Sequence, residues 1–210
     1  MNKGDIDMKI ATIGSGNIGG TLGKLWAAKG HDVMFGSRSP QSDRMRMLLK
    51  EAGKNAQIGT IEEAFAFGEV ILLAVPPAAV EDVLEKAGDL HQKILINSTN
   101  RQDGKSAGME VIRLAKNARV VRAFNSLAWE VLLNPQYGSI NASMFLVGDD
   151  PAAKMVIAGL CRDIGLDPVD AGSSQNIPLL EESLGTLWRL LAPKFGREYS
   201  LRVLRRDTGE

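Results

Sequence analysis

The strongest constraint on this chain is the run IGSGNIGG at residues 13–20, which sets Gly14, Gly16 and Gly19 in G-x-G-x-x-G spacing. By itself the pattern is weak, because glycine-rich sequences produce it by chance. Here it follows the apolar run KIATIG and opens a helical segment, NIGGTLGKLWAAKG, which is the context the motif requires. In that context Gly14 makes a tight turn, Gly16 lets backbone approach a pyrophosphate, and Gly19 lets helix pack closely on sheet. The helix N-terminus then offers free N–H groups and a favourable dipole to the phosphates. A P-loop would need lysine at position 20, where the chain has Gly20. Without that cation the nucleoside-triphosphatase reading fails.

The order of elements agrees with a dinucleotide fold. HDVMFGSR reads as a second strand after Gly30, a helix-closing glycine, and PQSDRMRMLLKEAG as a second helix with Pro40 in its first turn. AQIGT is a third strand, and Thr60 with Glu63 has capping-box spacing. VILLAV and KILINST are continuous apolar runs, as expected of strands covered on both faces, with AAVEDVLEKAGDL helical between them. ARVVRAFNS and SMFLVG continue the series. The expected fold class is α/β: a Rossmann-type, doubly wound, mainly parallel sheet of about six or more strands. Residues 8–148 would form the nucleotide-binding domain. Residues 149–210 would form a small C-terminal α/β lobe closing the substrate cleft, with a helix starting at Asp150-Pro151 and a last amphipathic helix on which Leu180, Leu184, Leu187 and Leu191 share a face.

The segment FGSRSP, at the end of the second strand, bears on which dinucleotide fits. An NAD-preferring site usually has Asp or Glu there to accept from the ribose 2′-hydroxyl, and that carboxylate would repel a 2′-phosphate. Ser37 and Arg38 do the reverse, since a hydroxyl donates and a guanidinium pairs with phosphate oxygens. Each such charge-assisted bond contributes about 1.5–3 kcal/mol, enough to favour NADP over NAD by tens- to hundreds-fold. The plainer reading of Arg38 is a solvated charge at a turn.

Composition excludes other classes. Twenty-five Lys and Arg balance twenty-five Asp and Glu, so no broad basic surface recommends a nucleic acid as partner. One cysteine, Cys161, allows no internal disulfide, which fits a reducing cytoplasm, and its apolar neighbours suggest a buried filler. The N-terminal MNKGDID is a polar tail rather than a signal core, and no apolar run suits a membrane span. His31 and His91 lack the companions of a metal site and read as surface or capping residues. Glu181 and Glu182 read as complements to a helix dipole. No catalytic residue stands out. Direct hydride transfer between stacked rings requires positioning more than a strong acid or base.

With these motifs assembled, the chain from Met8 onward resembles the NADPH-dependent reductases of the coenzyme F420-dependent NADP oxidoreductase family, and is similar also to the reductase domain of the metalloreductases. The resemblance is carried by IATIGSGNIGGTLGKLWAAKGHDVMFGSR, LLAVP, VVRAFNS and DAGSSQNIPLLEESLGTLW. It implies that Ser15, Gly16, Asn17 and Ile18 hold the pyrophosphate and that Ser37 and Arg38 hold the 2′-phosphate. It also implies that Val75, Pro76, Asn97 and Asn125 lie along the ribose and nicotinamide. Read as local chemistry alone, Pro76-Pro77 ends a strand and the two asparagines favour turns. A further basic residue often follows the Ser-Arg pair in these reductases; here Ser42 stands near that place and the first cation is Arg44.

The function implied is hydride transfer between NADP(H) and a small flat electron carrier such as coenzyme F420 or a flavin. The alternative is a non-catalytic NADP(H)-binding sensor whose C-terminal helix docks a partner. The apolar last helix and KFGREYSLRVL suggest a homodimer.

Overall fold

The structure is a computed structural model that describes residues 7–101, 103 and 105–206; most of the expected N-terminal tail therefore lies outside the described residues. The chain runs β1 (Lys9–Ile13), α1 (Asn17–Ala28), β2 (Asp32–Gly36), α2 (Asp43–Ala52), β3 (Ala56–Gly59), α3 (Ile61–Phe67), β4 (Val70–Leu73), α4 (Val80–Leu84), β5 (Ile94–Asn97), α5 (Ala107–Leu114) and β6 (Arg119–Arg122). It continues with α6 (Trp129–Leu133), β7 (Gln136–Tyr137), β8 (Ile140–Asn141), β9 (Ser143–Leu146), α7 (Pro151–Asp163), β10 (Asp167–Asp170) and α8 (Ile177–Phe195).

Six strands form one parallel sheet in the order β3-β2-β1-β4-β5-β6. Helices cover both faces, so the central strands carry apolar residues at every position. Along β4, Val70 and Leu72 join the core under α1 and α7, while Ile71 and Leu73 join the core under α3, α4 and α5. The period-2 alternation of side chains thus splits one apolar run between two cores.

Local signals set the boundaries. Gly30 closes α1 with φ +106°, and Thr60 and Glu63 form the expected reciprocal capping box at α3. Two expectations need correction. Pro40 is not in the first turn of α2, because residues 39–42 close a turn in which Ser42 N–H donates to the Ser39 carbonyl, and the helix begins only at Asp43. The helix expected over AAVEDVLEKAGDL shrinks to a 3-10 turn at Pro77–Ala79 followed by α4, and Gly88 at φ +64° turns the chain away.

Beyond β6 the sheet is extended rather than replaced. An antiparallel bridge joins Arg122 to Val147 next to β9, and β10 pairs in parallel with β9. One apolar core runs from α1 through α6 to α7, where Leu160 and Cys161 are fully buried. Burial pushes the Cys161 thiol far above its ordinary range, consistent with an inert filler. The Trp26 indole stands edge-on to Phe124 and donates to the Leu160 carbonyl at 3.1 Å, tying α1 to α7. His31, expected at the surface, is buried: its Nδ1 accepts from Met8 N–H and its Nε2 meets Asp163 at 3.1 Å.

Asp150 caps α7 by accepting from Ala153 N–H, and it accepts from Nε and Nη2 of Arg119 at 2.5 and 3.2 Å. These bonds, Arg119 first, hold its carboxyl at about 2, below its ordinary 3.8. A folded value below the unfolded one means that the stabilisation is complete above about pH 4 and fades as pH falls toward the folded value. Arg119→Met is therefore expected to shallow the acid-side fall of the urea midpoint, while leaving a constant offset at neutral pH; an unchanged acid slope would contradict this.

Candidate dinucleotide-binding site

The sheet order reverses between β1 and β4, the place at which open α/β sheets bind ligands beyond the carboxyl ends of their strands. The glycine loop sits at that point. Gly14 has φ +102°, and a Cβ on it would stand 2.4 Å from the Ala74 carbonyl oxygen at the end of β4. A Cβ on Gly19 would stand 1.9 Å from the Gly14 carbonyl oxygen, so no other residue fits while α1 lies this close. Gly16 is different: nothing lies within 4 Å of where its Cβ would be, and it is exposed. That open face is where an anion can reach the backbone.

Gly16 is also the N-cap of α1, with no side-chain cap and no acidic residue in the first turn. The first N–H groups of the helix, beginning with exposed Asn17, have no acceptor along their own helix. Ser15 and Ile18 flank them, half buried. The combination of uncapped donors, dipole and open glycine fits a pyrophosphate.

At the end of β2, Ser37 N–H donates to the Gly59 carbonyl, and Ser37 Oγ accepts from Ser39 N–H at 3.1 Å, leaving the hydroxyl proton free to donate outward. Arg38 is exposed and forms no hydrogen bond or ion pair among the described residues. Its neighbours are occupied. Arg46 pairs with Asp43 at 3.2 Å and donates to the Gln41 carbonyl, whereas Arg44 donates to the Ser15 carbonyl at 2.7 Å. Arg44 thus braces the glycine loop from α2 and brings a second positive charge to the same corner. This structure shows a role for it that its sequence position concealed. The first carboxylate that follows the end of β2, Asp43, is already paired with Arg46.

Val75 and Pro76 follow β4, half buried and exposed respectively, at the crevice wall beside Gly14. Asn97, at the end of β5, is fully buried and its side chain is turned into the fold: Nδ2 donates to the Ala107 carbonyl, and Oδ1 accepts from Thr99 N–H and Thr99 Oγ. Asn125 is half exposed, and its carbonyl accepts from Asn100 Nδ2 at 2.8 Å. Just before it, Phe124 holds φ +58°, a strained conformation for a bulky residue, at the end of the strand nearest the C-terminal lobe.

Glu181 corrects the sequence reading most sharply. Rather than serving a helix dipole, it meets the buried Arg122 at 2.8 Å and accepts from Ser106 Oγ and Gly108 N–H. Neither partner has a sequence motif that announces it. The two lie 59 positions apart in the chain, and only the fold brings α8 to the end of β6. Among the described residues no group of three or more acidic, histidine or cysteine side chains could hold a metal ion.

Three comparisons bear on this geometry. The family model described as NADP oxidoreductase, coenzyme F420-dependent, matches residues 9–101, which hold the glycine loop and the Ser37-Arg38 corner. Metalloreductase STEAP3 of Rattus norvegicus is 30% identical over 172 residues, covering 79% of this chain and 34% of that protein. A glycerol-3-phosphate dehydrogenase [NAD(P)+] of Chlorobium phaeobacteroides is 29% identical over 111 residues, or 47% of this chain and 33% of its own. The chain thus spans about a third of the length of the curated relatives it matches. Among solved structures, a candidate F420-dependent NADP-reductase from Arthrobacter sp. FB24 superposes with a TM-score of 0.83 at 25% identity, covering 94% of this chain and all of that one. The dinucleotide-binding region of this chain, residues 9–101, is thus similar to the coenzyme F420-dependent NADP oxidoreductases, and the likeness to the Arthrobacter structure extends over nearly the whole chain.

Proposed function

We propose that the protein is an NADP(H)-dependent oxidoreductase that exchanges a hydride with a small flat electron carrier, F420 or a flavin. The observation that carries the reading is the corner at the end of β2, where a serine hydroxyl stands beside a guanidinium that forms no ion pair among the described residues and the carboxylate that follows, Asp43, is taken by Arg46. That arrangement suits a 2′-phosphate and disfavours a bare ribose. In this reading the first turn of α1 and Gly16 bind the pyrophosphate, with Arg44 steadying the Ser15 carbonyl from behind. Val75, Pro76 and Asn125 flank the other end, and Asn97 supports that end from within. The nicotinamide, when bound, supplies the hydride; the protein's task is to hold it against the carrier and keep water out, which needs geometry rather than an acid or base.

Arg38→Glu is expected to weaken NADPH binding by tens- to hundreds-fold while leaving NADH within a few-fold. Fluorescence titration with both nucleotides checks this, and equal effects on the two would reject the 2′-phosphate assignment. Stopped-flow mixing of protein and NADPH with F420, FMN or FAD is expected to bleach one carrier. Tight NADPH binding with no carrier reduced would support the non-catalytic sensor instead.

The family's match to NADP chemistry does not extend to assembly, which we infer from α8. In this nineteen-residue helix only Ile177 is fully buried, while Leu179 is 67% and Leu190 69% exposed. Phe195 and Leu204 beyond them are exposed as well, the latter at 77%. Covering this face with a second copy of the chain makes a homodimer. Light scattering at micromolar concentration is expected to give twice the chain mass, and Leu190→Glu with Leu179→Glu to halve it; a wild-type monomer would reject the dimer.

A further inference from the structure

Arg122 is the largest charged side chain in the interior, 1% exposed at the end of β6, and its chemistry is not explained by packing alone. One guanidinium nitrogen donates to the carbonyls of both Asn97 and Thr99. A second, Nη2, donates to Asn100 Oδ1 at 3.0 Å and meets Glu181 at 2.8 Å. Asn100 passes the contact on, since its Nδ2 donates to the Asn125 carbonyl. On the far side Glu181 holds the start of α5 through Ser106 and Gly108. α5 and α8 approach so closely there that a Cβ on Gly108 would stand 2.4 Å from Ile177. A single planar fork therefore fixes the loop after β5 and, through Asn100, the loop after β6, with its counterion supplied by the C-terminal lobe.

We propose that Arg122 and Glu181 are a positioning pair for the nicotinamide half of the dinucleotide, fixing the loops after β5 and β6 without touching the ligand. This rests on the NADP(H) reading above. Burial lowers the Arg122 guanidinium to about 10, with Glu181 opposing the shift, so the fork stays protonated at neutral pH. The adenosine end is held by other elements: α1, β2 and α2 contribute Gly16, Ser37, Arg38 and Arg44, and none of these bonds to the network. The two ends of the ligand can therefore be tested separately.

Adenosine 2′,5′-bisphosphate carries the 2′-phosphate but no nicotinamide and serves as the probe of the first end; NADPH probes both. Arg122→Lys keeps the charge and its attraction to Glu181 but loses the fork that spans both carbonyls and Asn100. The expected result is unchanged affinity for the bisphosphate, NADPH affinity lower by about tenfold, and hydride transfer slower by up to about a hundredfold. Glu181→Gln, which keeps an acceptor toward Arg122, is expected to lose less. Should the lysine variant fail to fold, Arg122→Met combined with Glu181→Leu replaces the pair by apolar side chains of similar size, a change that buried ion pairs often tolerate. The same split between the two ligands is expected of it. A folded variant of either kind that binds NADPH and transfers hydride like the wild type overturns the proposal, as does one that loses both ligands equally. If the wild-type protein binds neither ligand, it is the NADP(H) reading that falls, and the pair's proposed object with it.

Discussion

Everything at this site depends on how closely the backbone of β1's loop approaches the end of β4. Two carbonyl oxygens decide it: a Cβ on Gly14 would overlap that of Ala74, and a Cβ on Gly19 that of Gly14. Any side chain at either place would push α1 away from the sheet. With α1 displaced, its uncapped N–H groups would no longer face the crevice, Arg44 would lose the Ser15 carbonyl, and Trp26 would no longer sit between Phe124 and Leu160. The loop is thus at once a packing contact of the fold and the floor of the proposed binding site.

A chain of zero formal charge holds anions by local arrangement rather than by field. The corner formed by β2 and α2 contains three arginines, but they are not equivalent. One is committed to Asp43, one to a backbone carbonyl, and Arg38 remains unspent. At the other end of the crevice the positive charge is buried and neutralised, so it acts on geometry instead of on ligand charge. The asymmetry matches a ligand with its phosphates at one end and a neutral reactive ring at the other.

Much of this was legible in the sequence because it rests on short-range rules. The glycine spacing, the doubly covered strands, the capping box at Thr60 and the helix start at Asp150 all involve residues within a few positions of one another, and the structure shows each where the pattern puts it. What escaped depends on contacts made across the fold. His31 is buried only because α7 brings Asp163 to it, and Glu181 looks like an ordinary first-turn acid until α8 docks beside α5. Arg122, in VVRAFNS, has no local pattern that marks it as buried; its head is enclosed by the loop after β5 and by Glu181 of α8, which only the fold brings to it. The overlong helix after Pro77 is a different failure, since helical periodicity continued past Leu84 while the left-handed Gly88 ended the element.

The indole bond between Trp26 and Leu160 has a consequence for modularity. A chain cut after Gly148 would keep every strand of the six-stranded sheet, yet it would strip α7 from the back of α1 and expose to water the apolar wall around the Trp26 indole. Natural recombination that exchanges C-terminal lobes among such proteins must therefore carry over a carbonyl at that spot, or replace the tryptophan in the same step.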